Sequence, residues 1–435
     1  MFHRHPPYQH LLELCLGADP CLLEPGTEQP WQPEVAPLAV IMDLISSIIN
    51  QPSSFYEAAQ LPNVAEYIMA EEFCERIGYD PDTSTMVLTS GRALANMTAI
   101  LAARNQKFPQ IWQQGTPEME GPKPAIAMSS QAHYSNRRLA GMIGIGEDQV
   151  VYLPVNEQGQ IDPEGTEDSL AEARNRGLQV FCMIATLGTP SRGVLDPIDR
   201  LAEIAAAHNL WLHVDGALGG NLIVSDRLRS QLGGIEKADS FLLDAHKLLT
   251  MPGTCSLLFY KDKKASYGAF QQDASYVFEK QPNKFSAFDS AKQNLECTKR
   301  PMIMGLWVSW ICYGSSVFAQ RIEYLYDLTK QAYHLLRHLP DFETIQEPSI
   351  NILCFRYTTV IPDHEQGEFH ETLCQRLQTQ GYYFLSTIMI HEKTAMRVVF
   401  DSHRTNLSHF EAMVQDLRDL TQEPALVQAV QNAVA

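Results

Sequence analysis

The chain has no Cys-x-x-Cys pair and no Cys/His run at zinc-ligand spacing, although it carries nine cysteines. Scattered thiols in odd number speak against a disulfide scaffold and against a metal site, and they fit a reducing cytosol. A cytoplasmic protein is therefore expected. No stretch approaches the roughly 18 apolar residues that span a bilayer. The opening Met-Phe-His-Arg-His resembles a basic leader, but the apolar stretch behind it is broken by Glu13 and Asp19, so no signal peptide is expected. Positive charge is also scarce. Against 51 Asp and Glu stand 33 Lys and Arg, a net charge of -18, which excludes nucleic acid and anionic membrane as partners. An acidic exterior can still enclose a basic pocket. Internal repeats and low-complexity tracts are missing as well.

What is present is a long, ordinary globular composition: 435 residues, 45% hydrophobic and 19% charged, enough for two or three subdomains. Residues 1–36 read as an irregular arm, and 37–50 (PLAVIMDLISSIIN) place apolar residues at helical spacing. A helix is predicted over 90–106, a strand over 125–129, a helix from about Ser135 and a strand over 150–155. Residues 179–186 (QVFCMIAT), 197–208 (PIDRLAEIAAAH) and 210–214 (LWLHV) then form a strand-helix-strand unit, the mark of a parallel sheet with ligands beyond its carboxyl ends. After about residue 315 the texture changes. Strands at 351–357 and 394–400 enclose a charged helix near 365–379, and a final helix follows, as in a small α+β domain.

Three segments carry candidate chemistry. In ADSFLLDAHKLLTMPGTCSLLFYKD (238–262), Lys247 stands between two apolar runs where a free ammonium is costly, and a lysine held as an imine escapes that cost. His246 precedes it and Ser256 lies in the returning strand; a solvated loop lysine is the plainer alternative. In LWLHVDGALGG (210–220), Asp215 ends a strand and is followed by small residues, Gly216 and Ala217, that let a flat ring lie close. Such a carboxylate keeps a pyridine nitrogen protonated and makes the ring an electron sink; a loop-capping Asp is the alternative. In TSGRALANMTAILAAR (89–104), a turn feeds a helix whose first N–H groups, on Gly91, Arg92 and Ala93, suit a phosphate.

The order and spacing of these segments resemble the group II decarboxylases among the fold-type I pyridoxal-phosphate (PLP) enzymes, over about residues 50–420. SSQAHYSNRRLAGMIGIG (129–146) resembles the segment whose histidine stacks on the cofactor ring, which points to His133. ATLGTPSRGVLDPI (185–198) resembles a cofactor-side strand and loop, adding Thr186 and Thr189. HVDGALGG and DAHK add Asp215, Ala217, Asp244, His246 and Lys247, while TAMRVVFDSHRT (394–405) resembles the stretch whose arginine holds the substrate carboxylate, here Arg397. The resemblance implies an α/β fold of type I, with a large domain built on a mostly parallel seven-stranded sheet and a small α+β C-terminal domain. The expected divisions are 1–48 (arm and helix), 49–314 and 315–435. It further implies a homodimer with its site at the subunit interface, PLP as a Schiff base on Lys247, and an amino-acid substrate that loses carbon dioxide to give an amine.

Several positions depart from the family pattern. Arg92 replaces a small residue in the phosphate turn, Pro190 a threonine, and Asp244 a common asparagine. In 274–300, which resembles the loop that closes the site, Phe288 falls where relatives carry a proton-donating tyrosine, and Tyr276 is a nearby substitute. Two further readings follow: decarboxylation coupled to oxidation, which yields an aldehyde, and a degenerate cofactor-binding scaffold. Asn50, Gln51, Phe55 and Tyr56 are expected to border the substrate pocket.

Overall fold

A computed structural model describes residues 34–116, 121–270, 288–358, 366–380 and 383–422. The arm up to residue 33, and the part of the closing loop that contains Tyr276, lie outside them. Val35–Glu323 forms one compact unit, and Glu34 with the chain from Tyr324 onward forms the other. The expected break at 314/315 stands just before a helix, Ser315–Arg337, inside which the two units divide.

The first unit opens with helices α1 (Pro37–Ile49) and α2 (Gln60–Ile77), then β1 (Thr85–Thr89) and α3 (Arg92–Lys107). There follow β2 (Lys123–Ser129), α4 (Tyr134–Met142), β3 (Val150–Leu153), α5 (Pro163–Asn175), β4 (Leu178–Thr186), α6 (Ile198–Ala207), β5 (Trp211–Asp215), β6 (Ser240–Asp244) and β7 (Ser256–Tyr260). The seven strands form one sheet in the order β1-β7-β6-β5-β4-β2-β3. Only β7 runs against its neighbours, pairing antiparallel with both β1 and β6. This is the mostly parallel seven-stranded sheet expected of the fold.

Its strands are apolar without alternation because helices cover both faces. Phe181, Cys182, Met183, Ile184 and Ala185 of β4 are all at most 1% exposed. The α6 helix turns Ile198, Leu201, Ala202, Ile204 and Ala205 inward, at the spacing its sequence carries. The α5 helix begins with a cap visible in the letters: Asp162 accepts a hydrogen bond from the Glu164 N–H and Pro163 takes the first helical position.

The second unit contains a four-stranded antiparallel sheet, β10-β11-β9-β8, from β8 (Phe342–Thr344), β9 (Ile352–Tyr357), β10 (Ser386–Ile390) and β11 (Lys393–Val399). Two helices, Gln366–Gln380 and Leu407–Thr421, accompany it. The latter starts with a capping box in which the Asn406 side chain accepts from the Ser408 and His409 N–H groups.

Candidate active site

Parallel strands bring their carboxyl ends to one edge, and the residues just past them form the site. Thr89 ends β1, Ser129 ends β2, Thr186 ends β4, Asp215 ends β5 and Asp244 ends β6, while β7, running the other way, begins there with Ser256. Lys247, His133 and the turn before α3 follow directly on three of these ends. Three segments spread over more than a hundred and fifty residues of sequence, from Gly91 to Lys247, are thus collected by topology alone.

After β6 the chain turns tightly, with Lys247 N–H donating to the Asp244 carbonyl at 3.2 Å. The turn returns Lys247 Nζ to Asp244 Oδ2 at 2.9 Å, and the Ser256 hydroxyl donates to Asp244 Oδ1. Burial lowers the pKa of the Lys247 ammonium, with Arg92 adding to the effect and Asp244 opposing it. His246 places Nε2 3.8 Å from Asp244 Oδ2 and fixes Nδ1 on the Cys255 backbone.

Asp215 is 1% exposed. Its Oδ2 accepts from Asn96 Nδ2 at 2.9 Å and Asn136 Nδ2 at 3.3 Å; its Oδ1 accepts from the Ala217 N–H at 3.3 Å and faces Arg92 Nη1 at 3.9 Å. Burial alone pushes this carboxyl up, but Arg92, Asn96, His213 and Lys247 together hold it below the ordinary carboxylate value.

The Asn96 amide is itself oriented by a chain of bonds whose directions chemistry dictates. Trp211 Nε1–H can only donate, and it does so to Ser240 Oγ at 2.8 Å. Ser240 then gives its own proton to His213 Nδ1, 2.8 Å away. The imidazole therefore carries its proton on Nε2 and donates to Asn96 Oδ1 at 2.7 Å, leaving Nδ2 to face Asp215. His213 is fully buried, and that burial pulls its pKa down to about 4, so it stays neutral in this role.

His133 is the N-cap of α4: its Nδ1 accepts from the Ser135 N–H at 3.3 Å and lies 2.7 Å from Ser135 Oγ, which leaves the ring proton on Nε2. Burial, aided by Arg92 and Lys247, lowers its pKa to about 4. Gly91 adopts φ +103°, open to glycine, and caps α3. Intrahelical bonding begins only at Leu94 and Ala95, whose N–H groups reach the Gly91 carbonyl, so the Arg92 and Ala93 N–H groups are presented outward. A cavity of about 300 Å³ lies beside Ser90 and Thr254 and is also lined by Glu296 and Arg300.

Two other expected residues behave differently. Thr186 pairs in register with Asp215 across β4 and β5, and its buried Oγ1 lacks a hydrogen-bond partner among the described residues, as does Asn136 Oδ1. Thr189 instead uses its hydroxyl oxygen to accept from the Val194 N–H at 3.0 Å, closing its own loop. Gly216 also serves the sheet rather than clearance for a ring: a Cβ there would stand 2.4 Å from Phe241 and 2.7 Å from the Leu242 carbonyl.

Phe288 lies away from this sheet edge. Phe288 packs at 5.7 Å from Tyr56 and 5.1 Å from Tyr67, in a pocket with Thr85 and Met86 at the amino end of β1, roughly 13 Å of strand from the site edge. Of the four expected pocket-border residues, Tyr56 joins this cluster and donates its N–H to Asp289 Oδ1 at 2.9 Å; Gln51 bonds the Ala58 carbonyl. Arg397 belongs to the second unit, on β11 opposite Ser386 of β10 and Cys354 of β9, and burial lowers its pKa. Sequence reasoning passed over Asn96, Asn136, His213 and Ser240. The signal for His213 was there, since a residue two before Asp215 on a strand shares its face.

A lysine with a depressed pKa, a buried ionised aspartate, a neutral imidazole and presented N–H groups thus gather at the carboxyl ends of the sheet, a set that would suit PLP. The donor set and the two orphaned polar atoms, Thr186 Oγ1 and Asn136 Oδ1, fit that cofactor. The family model described as the pyridoxal-dependent decarboxylase conserved domain matches residues 37–358, and the chain belongs to this family of PLP-dependent carboxy-lyases. Among solved structures it is similar to mouse CSAD in apo form (25% identity, 97% of this chain and 90% of that one, TM-score 0.87). It shares its fold with Catharanthus roseus tryptophan decarboxylase (20% identity, 97% and 89%, TM-score 0.86) and with Rhodiola rosea 4-hydroxyphenylacetaldehyde synthase (19% identity, 97% and 89%, TM-score 0.85).

Proposed function

We propose that this chain removes carbon dioxide from an L-amino acid and releases the amine. The observation that carries the reading is the convergence of Lys247, Asp215 and His133 at one sheet edge, where burial and charged neighbours lower the pKa of Lys247 and His133 and charged neighbours hold that of Asp215 down against burial. When bound, PLP supplies an electron sink for the pair left as the carboxylate departs. Lys247 is the residue to hold it covalently as a Schiff base, since burial lowers its pKa and so eases loss of the proton that blocks its lone pair. Asp244, 2.9 Å from Nζ, accepts a hydrogen bond from that amine and orients it. Asp215, ionised and pinned by two amides, is placed to keep a ring nitrogen protonated. The N–H groups of Gly91, Arg92 and Ala93, Thr186 Oγ1 and the Ala217 backbone complete the holding set. His133, neutral with its proton on Nε2, is suited to stacking and to passing a proton. Arg397 is assigned to the substrate carboxylate.

A second reading is favoured by Phe288, which lacks the hydroxyl that would return a proton to carbon. Oxygen then takes the electrons: amino acid, O2 and water give aldehyde, CO2, NH3 and H2O2. We further propose a cytoplasmic homodimer with the site at its interface. Among the described residues no helix is long and apolar enough to cross a membrane. The apolar face of α1 supports self-association, with Val40, Ile41, Leu44, Ile45, Ile48 and Ile49 between 41% and 73% exposed. The separation of Phe288 from Lys247 within one chain supports a site that takes this residue from a second copy. The deciding experiment is a panel of L-amino acids with CO2, amine, aldehyde and peroxide measured together. Amine matching CO2 mole for mole upholds the first reading, peroxide and aldehyde matching CO2 replace it with the second, and no CO2 from any substrate leaves only a cofactor-binding scaffold.

A further inference from the structure

Asp215 has two oxygens, and the structure uses them unequally. Oδ2 is filled by the amides of Asn96 and Asn136, at 2.9 and 3.3 Å. Oδ1 accepts one long bond, from the Ala217 N–H at 3.3 Å, and its remaining direction is faced by Arg92 Nη1 at 3.9 Å. A carboxylate oxygen accepts about two in-plane hydrogen bonds, so Oδ1 is where any further cation must come. Arg92 already stands there, with its side chain 14% exposed beside a fully buried carboxylate.

We infer that Arg92 competes with the cofactor's ring nitrogen for Asp215 Oδ1, so that the guanidinium must move aside before that nitrogen can be held. The inference rests on PLP occupying this site. The exchange conserves charge, one cation replacing another at one carboxylate. It is also geometrically open: at 3.9 Å the contact is ionic without a hydrogen bond, and the side chain is rooted at the first residue of a helix, following a glycine turn. Arg92 further lowers the pKa of both His133 and Lys247, as a cation lodged among them should. With Arg92 gone, Asp215 keeps its burial and loses its cation. The chain alone should then be less stable, and a protonated ring nitrogen should be held more tightly. A residue with only a structural role lowers stability without raising affinity.

The test is a titration of the cofactor-free protein with PLP, followed by the visible absorption band and by quenching of tryptophan fluorescence, alongside thermal melting. Arg92→Ala should bind PLP roughly tenfold more tightly than wild type and melt lower without it, and Arg92→Gln, which keeps the bulk, should do the same. In an Asp215→Asn background the Arg92→Ala change should no longer alter affinity. Equal or weaker binding by both Arg92 variants overturns the competition, weaker binding marking the guanidinium as a phosphate holder instead. A wild-type chain that forms no band overturns the cofactor site and this inference together, which distinguishes the two failures.

Discussion

Two aspartates buried to nearly the same degree show how differently this molecule treats a carboxylate. Asp215 and Asp196 are 1% and 4% exposed, and both touch the carboxyl end of β4 or its neighbour β5. Asp215 is met by Arg92, by two side-chain amides and by the field of Lys247, and it is held below the usual carboxylate range. Among the described residues Asp196 accepts from backbone N–H groups alone, Thr186 at 2.7 Å and Ile161 at 2.8 Å, and burial pushes it up to about 6. The first is kept charged by groups that have no other evident structural task. The second ties a loop to a strand and tolerates a proton. Burial alone therefore does not mark a functional acid; the surrounding investment in positive charge and oriented amides does.

The largest expected effect comes from attacking the charged member. Asp215→Asn should lower decarboxylation at least roughly a thousandfold and weaken PLP binding, because an amide cannot hold a ring nitrogen protonated. Lys247→Ala should abolish the visible band of bound PLP altogether. Asp196→Asn should leave that band in place while lowering the melting temperature, since an amide can accept only one of the two N–H bonds. If Asp196→Asn and Asp215→Asn damage the band equally, the contrast between the two acids is wrong.

A smaller effect, of opposite sign at two sites, is readable in stability against pH. His213 titrates near 4 in the folded chain and near 6.5 unfolded, so between these values only the unfolded state holds the proton. Its contribution is present above 6.5 and is lost as pH falls to 4, about 3 kcal/mol in all. Asp196 runs the other way. Its folded value near 6 exceeds the unfolded 3.8, so its contribution is full below 3.8 and is lost as pH rises through 6. The two opposed contributions nearly cancel in wild type, so denaturant unfolding between pH 4 and 6.5 should show stability falling more with rising pH in His213→Gln and rising more with pH in Asp196→Asn. Parallel curves for wild type and both variants would remove either group from the balance.

How much of this was legible beforehand follows the same division between chain and contact. The β4-α6-β5 unit could be read because its burial is written in consecutive apolar letters, and the second unit's strands and helices because their periods are distinct. Lys247, Asp215 and Gly91 could be singled out because each sits just past a strand end or at a helix start, a place defined by local sequence; His133 was reached only through the family resemblance. The α2 helix went unread because its apolar residues show almost no one-sided pattern: polar Asn63 and Glu66 are buried on its inner face, while Leu61, Tyr67 and Ile68 are exposed. The relay Trp211–Ser240–His213–Asn96 stayed hidden because it joins β5, β6 and α3, and only the strand order makes them neighbours. Glycine at 216 was legible as a need for space, but the space is taken by Phe241, on a strand the letters alone could not place beside it. Arg92 was visible as a departure; that it turns to Asp215 was not.

The finest test of the contrast is the strand end that both aspartates share. Thr186 donates its N–H to Asp196 Oδ2 while its own hydroxyl, buried and in register with Asp215, has no partner among the described residues. An orphaned buried hydroxyl costs stability on its own and is worth keeping only if a bound group uses it. Thr186→Val preserves shape and the N–H bond to Asp196 but deletes the hydroxyl. The cofactor-free protein should therefore melt at the same temperature or slightly higher, within about 1 kcal/mol of wild type, while PLP binding weakens roughly fivefold. A variant that melts lower and binds PLP as well as wild type would make Thr186 part of the Asp196 framework, moving the boundary between the two carboxylate environments to the other side of β4.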